Sequence, residues 1–346
     1  MQMLRCHLHH RSLRLLALLL CVGALIPVPG AAQDGTFRQR FKERLQQRQQ
    51  ERAAVDTSGP ITQPGDYRLT LTHDGQSRAY LLHVPKRYQP SQPTALLVAL
   101  HGGGGNMDFQ ADDSKYGLIT TSEREGFVVA FPNGYSRFPG GKLATWNAGN
   151  CCGAARDQQV DDVGFIRQMV SRIRSQLQID PQRVYATGMS NGGMMSYRLA
   201  CEASDVFRAI AVVAGTDNTR VCQPSKPVAV LHIHAKNDDH VLFNGGAGPA
   251  AIKGAAETDH RSVPDTVTKW THLDACSLPP KRVLDRPGAS CESYAPCAGG
   301  SAVQLCVTDT GAHSWPGGHK TRGGEQPSQA LSANQVMWDF FSQLPH

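Results

Sequence analysis

Apolar and polar positions change period several times along this chain. Past Pro60, Pro64 and Gly65, "YRLTLT" and "AYLLHVP" flank the turn "HDGQ", which predicts a β-hairpin. Beyond it come runs that are apolar almost throughout: "ALLVALH", "GFVVAFP", "RVYATGMS", "FRAIAVVAG" and "PVAVLHIHA". Between them, "QVDDVGFIRQMVSRIRSQLQ" spaces its apolar residues at helical period, and "NGGMMSYRLACEA" opens a second helical pattern. "AVQLCVT" reads as a last strand and "QALSANQVMWDFFSQL" as a closing helix. Nearly continuous apolar strands separated by helices predict an α/β fold, a mainly parallel central sheet covered by helices on both faces. No internal repeat or second domain is visible, so 60–346 reads as a single domain. The Gly/Pro-rich stretch 244–264 reads as a long loop, a length often tied to function.

The first 32 residues follow another logic. A cationic start, the apolar run "LLALLLCVGALI" and the small-residue segment "PVPGAAQ" predict a secretory signal cut between Ala32 and Gln33. The run is too short to span a bilayer comfortably, so no stable membrane insertion is expected after cleavage. Cys21 is a poor lipidation site because leucines fill the three positions before it. Residues 33–59 are rich in Gln and Arg. Phe37, Phe41 and Leu45 give them one thin apolar stripe, which suits a polar tether better than a membrane-surface helix.

Charge and cysteine sharpen the picture. The formal net charge is +6, but residues 1–52 hold nine Lys/Arg against three Asp/Glu, and the remainder carries 26 of each sign. The body therefore lacks the basic excess that a nucleic-acid partner requires. Eight cysteines remain after the leader: Cys151, Cys152, Cys201, Cys222, Cys276, Cys291, Cys297 and Cys306. An even number in an exported chain predicts disulfides, and no pair has C-x-x-C zinc spacing. Pairing is open from sequence, although Cys291 and Cys297 could close a small loop.

Candidate chemistry begins at "YATGMSNGG", a G-x-S-x-G centred on Ser190 between a strand and a helix. Flanking glycines permit a sharp turn that lifts the serine hydroxyl above the sheet, and the N–H of Asn191 then lies at a helix N-terminus, where it can hold an oxyanion. A nucleophilic serine needs a base and an orienting acid on later strand-end loops. "PVAVLHIHA" ends before Asp238 and Asp239, either of which fits, and "AVQLCVT" ends before "DTGAHSWPGG" with His313. His319 is a rival base, farther from its strand. "ALLVALHGGGGN" puts a glycine loop after an early strand, and a backbone N–H of 102–104, best Gly103, supplies the second oxyanion donor. No Lys-Ser/Thr follows, so the loop is not a phosphate cradle. Asp161 and Asp162 precede a helix and read as stabilisers of its N-terminus.

Taken together, "LHGGGGN", "TWNAGNCCG" with "VDDVGFI", "GMSNGG", the H-x-x-x-D-x-x-V of His234 to Val241, and "GAHSWPGG" resemble the poly-hydroxybutyrate depolymerase/feruloyl esterase group. These are secreted α/β-hydrolases grouped with carbohydrate esterase family one. The resemblance covers roughly residues 65–345. It implies the α/β-hydrolase fold and makes Asp238, four residues after the strand-end histidine, the acid. The family usually reads "HG-T-x-D" there. Ala235 and Lys236 replace Gly and Thr, and Leu242-Phe243 stands where Pro-Tyr is usual. Trp146 and Trp315 flank the motifs and, by resemblance, line an apolar cleft; His101, heading the glycine loop, joins them as a substrate-binding residue.

The expectation is a secreted or periplasmic serine esterase with a Ser190–His313–Asp238 triad, an oxyanion hole at Gly103 and Asn191, and no metal or organic cofactor. Resemblance alone gives its substrates: feruloyl or acetyl esters of plant polysaccharide, or short hydroxyalkanoate polyesters. No carbohydrate- or polymer-binding module is apparent, which favours soluble oligomers. The rival readings are a peptidase on the same scaffold, a non-catalytic ester- or polysaccharide-binding protein, and a metal protein built on "HIHAKNDDH".

Overall fold

A computed structural model of the chain describes Ile61 and residues 63–251, 258–320 and 324–345. The expected signal (1–32) and tether (33–59) lie outside the described residues. Ten strands form one sheet in the order β1-β2-β4-β3-β5-β6-β7-β10-β9-β8. The predicted hairpin is β1 (Gly65–His73) with β2 (Gln76–Val84), antiparallel. β3 (Thr94–Leu100), β4 (Val128–Pro132), β5 (Ile179–Met189), β6 (Ala209–Val213), β7 (Ala229–Ala235) and β10 (Val303–Thr308) form the parallel centre. Every residue of β4, β6 and β7 is buried, which explains why they read as unbroken apolar runs.

Sequence patterning missed a second antiparallel hairpin, β8 (Lys281–Arg286) with β9 (Ala289–Tyr294), at the far edge. Edge strand β8 is largely exposed and carries three basic residues, so it shows no apolar period. Eight helices are described: α1 (Met107–Gln110), α2 (Asp113–Tyr116), α3 (Leu118–Glu125), α4 (Gly153–Asp157), α5 (Asp162–Gln176), α6 (Asn191–Glu202), α7 (Val263–Leu273) and α8 (Ala333–Ser342). The apolar faces of α5, α6 and α7 share one core with Leu96, Val98 and Ile210, while α3 and α8 share a second with Leu97, Val129 and Leu231. Successive residues of one strand thus feed opposite cores, as the period of two demands.

Disulfides join Cys151–Cys152, Cys201–Cys222, Cys276–Cys297 and Cys291–Cys306. Cys291 and Cys297, which are near enough in sequence to close a small loop, pair with other partners. Cys291 sits directly opposite Cys306 in the β9–β10 register, and that pairing was invisible while β9 was unrecognised.

The two aspartates ahead of α5 divide their work. Asp161 caps the helix, its carboxylate accepting from Gly164 N–H at 2.9 Å. Asp162 is wholly buried and meets Arg78 at 2.6 Å, while its second oxygen accepts from Asn147 N–H at 2.8 Å. Burial raises its pKa against the pull of Arg78, so the pair fixes position at an energetic cost. Asp162→Ala, which strands the buried guanidinium, is expected to lower the unfolding free energy by about 3–5 kcal/mol in a urea titration. Arg78→Met/Asp162→Leu together should lose clearly less; a loss below about 1 kcal/mol in the single variant would refute this account.

Candidate active site

Strand β5 ends in a turn so tight that Ser190 adopts φ 56° and ψ −125°, and α6 starts at the next residue. A side chain at Gly188 would place Cβ 2.5 Å from the carbonyl carbon of Gly192, and one at Gly192 would collide with the carbonyl oxygens of Leu100 and His101. The turn and the end of β3 therefore touch backbone to backbone, which gives the G-x-S-x-G spacing its steric reason. Ser190 N–H donates to Val213 O at 2.9 Å and its carbonyl accepts from Met194 N–H at 2.9 Å, so the strained residue is held on both sides. Its hydroxyl makes no hydrogen bond with a described residue and faces a cavity of about 580 Å³.

His313 lines that same cavity, as do Gly102 to Gly105 and Asn191. Imidazole Nδ1 of His313 lies 2.9 Å from Asp238 Oδ2 and 3.1 Å from Oδ1. Asp238 is buried at the end of β7, and its Oδ1 also accepts from the N–H groups of His240 and Val241, both at 2.9 Å. Burial by itself would raise the Asp238 pKa. The hydrogen bonds from His234 and His313 outweigh it and hold the carboxyl well below the ordinary range. At His313 burial wins: it lowers the pKa despite the Asp238 bond, which favours a neutral imidazole with a free Nε2 lone pair.

Asp239 points elsewhere. Half exposed, it takes His240 Nδ1 at 2.7 Å. The His240 ring then stacks on His313 with centroids 4.4 Å apart and planes 14° from parallel. The two adjacent aspartates thus hold different histidines, Asp239 taking His240 and Asp238 taking His313, which lines the cavity with Ser190. His319, the rival base, is exposed and ties to Lys115 O through its own N–H.

Of the glycine run, Gly104 and Gly105 donate to Ala144 O and Gly102 O. Gly103 N–H has no hydrogen bond among the described residues, and a Cβ there would lie 3.5 Å from the Cβ of Asn191. Asn191 N–H is one of the unpaired donors that open α6. Its side-chain amide is locked by Trp146, accepting from the backbone N–H at 2.7 Å and donating to the backbone O at 3.0 Å.

Three expected substrate-binding residues sit behind the cavity instead of in its wall. Trp146 is completely buried, its indole N–H donating to His101 O at 2.9 Å. Trp315 donates to Asn334 Oδ1 at 2.9 Å and packs edge-on against Tyr116. His101 is buried under the glycine loop: Gly134 N–H donates to its Nε2 at 2.9 Å, so the proton sits on Nδ1 and donates to Gly102 O at 2.8 Å. Each of these residues shapes a loop from beneath. The apolar wall comes from Phe109, Tyr116, Leu143, Met189, Met194 and Val241, with His240 and His260 nearby. Phe109 and Leu143, 45% and 61% exposed, belong to segments with no strand or motif to flag them.

The sheet order and the strained strand-to-helix turn at Ser190 make this protein an α/β-hydrolase. The chain belongs to the esterase PHB depolymerase family, whose model matches residues 79–252. Feruloyl esterase B from Piromyces equi is 30% identical over 245 residues, 68% of this chain, and the match spans 42% of that protein's own length. The putative esterase NocK from Nocardia uniformis subsp. tsuyamanensis is 30% identical over 258 residues, 70% of this chain and 72% of that protein. A solved structure, the acetyl xylan esterase from Aspergillus awamori, aligns with a TM-score of 0.56 over 80% of this chain and 99% of its own at 16% identity, a likeness of fold alone.

Nitrogen-15 NMR of the imidazoles tests the electrostatics without any substrate. Burial pushes His101 down to about 4, and His313 is expected to titrate with a midpoint below 6.5. A His313 midpoint above 6.5 would contradict the balance described here.

Proposed function

We propose that this protein is a serine carboxylic-ester hydrolase that works through an acyl-enzyme. The observation that carries the reading is the 2.9 Å His313–Asp238 pair, whose histidine lines the same cavity as Ser190. Ser190 Oγ attacks the ester carbonyl carbon while His313 Nε2 takes the hydroxyl proton. The carbonyl oxygen gains the negative charge between the N–H groups of Asn191 and Gly103. As the intermediate collapses, the carbon–oxygen bond breaks and the proton on His313 passes to the departing alcohol. Water then repeats the sequence on the acyl group, releasing acid and free serine. Asp238 keeps the Nδ1 proton in place and balances the transient imidazolium. No step uses a metal or organic cofactor.

Cavity chemistry narrows the acyl group. Six apolar side chains around about 580 Å³ offer far more room than an acetyl group fills. A phenolic acyl group or a short hydroxyalkanoate chain suits that wall better, in line with the names of the family and of the Piromyces relative. Export is part of the same proposal: four disulfides suit an oxidising compartment, and no described helix is long and apolar enough to cross a membrane. Residues 60–346 would then be the catalytic domain behind a cleaved leader and a tether.

A fluorophosphonate probe is expected to label the purified protein once, at Ser190, with labelling abolished by Ser190→Ala. Methyl ferulate or hydroxybutyrate oligomers should be hydrolysed with higher kcat/KM than acetylated xylan, and peptides not at all. An unlabelled Ser190 would sink the esterase reading and favour a binding protein. Asp238→Asn should lower kcat on the order of 10⁴-fold, as expected when a triad acid is lost. Asp239→Asn, which removes only a half-exposed partner of His240, should cost less than about tenfold. The opposite ranking would transfer the acid's role to Asp239.

A further inference from the structure

Behind the candidate triad lies a second, wholly buried set of polar groups that the proposed reaction does not use. His232 and His234 project from the same face of β7 with their rings parallel, 3° apart in plane at 5.3 Å. Both are at most 1% exposed, as is Tyr197 on α6. Three hydrogen bonds link them in series. The Tyr197 hydroxyl meets His232 Nδ1 at 2.7 Å, His232 Nε2 meets His234 Nδ1 at 3.1 Å, and His234 Nε2 meets Val241 O at 2.9 Å. Nε2 of His234 also stands 3.3 Å from Asp238 Oδ2.

Donor and acceptor accounting fixes the protons. Val241 O can only accept, so His234 Nε2 carries hydrogen. Two arrangements of the remaining protons are then possible. In one, the tyrosine donates to His232 and His232 donates to His234. In the other, His234 is an imidazolium donating to His232, and His232 donates to the tyrosine oxygen. The second leaves the buried Tyr197 hydrogen with no acceptor among the described residues, whereas the first satisfies every group. The chain therefore runs one way, from Tyr197 to the carboxylate.

We propose that Tyr197, His232 and His234 are positioning residues that orient the Asp238 carboxylate toward His313. The inference rests on the triad proposed above. The geometry favours it over a merely satisfied polar core for two reasons. The chain begins on the helix that follows Ser190 and ends at the carboxylate paired with His313, so it couples the nucleophile's helix to the acid's loop. His234 Nε2–H is also shared between Val241 O and Asp238 Oδ2, while Val241 N–H donates to Asp238 Oδ1. Turning the histidine ring would therefore turn the carboxylate.

The test compares Tyr197→Phe, His234→Phe and His234→Gln with the parent and with Asp238→Asn. Readouts are kcat and KM on p-nitrophenyl acetate per fluorophosphonate-titrated site, the low-field proton NMR signal of the His313 Nδ1–H···Asp238 bond, and Tm. Tyr197→Phe keeps the ring and removes one donor. It should lower kcat about 3–10-fold with KM little changed and move the low-field signal, the scale of one lost hydrogen bond. His234→Phe should lower kcat by up to about 100-fold, because two acceptors lose their donor. His234→Gln, whose amide N–H reaches the Nε2 position, should recover much of that loss. Parental kcat and an unmoved signal in Tyr197→Phe and His234→Phe, whatever their Tm, would overturn the proposal and leave the triad standing. Parental kcat in Asp238→Asn would remove the triad and this proposal with it.

Discussion

The structure turns on a backbone torsion: a serine at φ 56° stays there only if everything around it forbids the alternatives. A side-chain-bearing residue in so sparsely populated a region of backbone space costs on the order of 1–3 kcal/mol. Here the neighbouring strands enforce it. β5 is paired to β3 and β6 up to the residues before the turn, and α6 must cross directly over the end of β3. That crossing is so close that Gly192 cannot carry a Cβ against Leu100 O and His101 O. The same approach puts Gly102 and Gly103 beside Ser190 and Asn191, so one steric condition sets the exposure of the Ser190 side chain and the placement of the Gly103 and Asn191 N–H groups together.

The Asp238 side of the candidate site is organised by charge instead of sterics. Asp238 is buried, yet its oxygens collect two backbone N–H groups, His313 and the approach of His234. A carboxylate with that many donors remains ionised despite its burial, and it can face only the way its donors permit. Asp239, one residue on, lies at the surface and is free to serve His240. Burial, not spacing, separates the two.

Much of this was legible in the sequence, and the exceptions follow a pattern. The central strands announce themselves because both their faces are buried. The Ser190 turn announces itself because sterics allow only glycine on either side. The order Ser190, Asp238, His313 follows from loops at the ends of later strands. Properties created by distant contacts stayed hidden. The β8–β9 hairpin shows no apolar period because β8 is largely exposed, and without it the Cys291–Cys306 partnership stayed hidden. Trp146, His101 and Trp315 read as cavity wall because they stand next to the Ser190 and His313 motifs, but adjacency in sequence does not say which side of a loop faces the cavity. Trp146 donates to His101 O, His101 to Gly102 O and Trp315 to Asn334 Oδ1, which turns all three inward.

The departure from "HG-T-x-D" at Ala235 and Lys236 raises the question whether the turn before Asp238 survives without glycine. Glycine is required where φ is positive, and Ala235 is not among the described residues with positive φ. The turn closes by Asp238 N–H donating to Ala235 O at 3.2 Å, a bond indifferent to the side chain. Lys236 points out to Asp309 at 2.7 Å, and its own N–H continues the pairing with β10 through Thr308 O at 2.8 Å. Residues 234, 238 and 241 carry the geometry: the His234 ring Nε2–H donates to Val241 O, and Val241 N–H donates back to Asp238 Oδ1. The H-x-x-x-D-x-x-V spacing is thus a closed loop of hydrogen bonds in which the two substituted positions take no side-chain part. Two of the histidines in "HIHAKNDDH", His232 and His234, are thereby engaged in hydrogen bonds to Tyr197, to each other and to Val241.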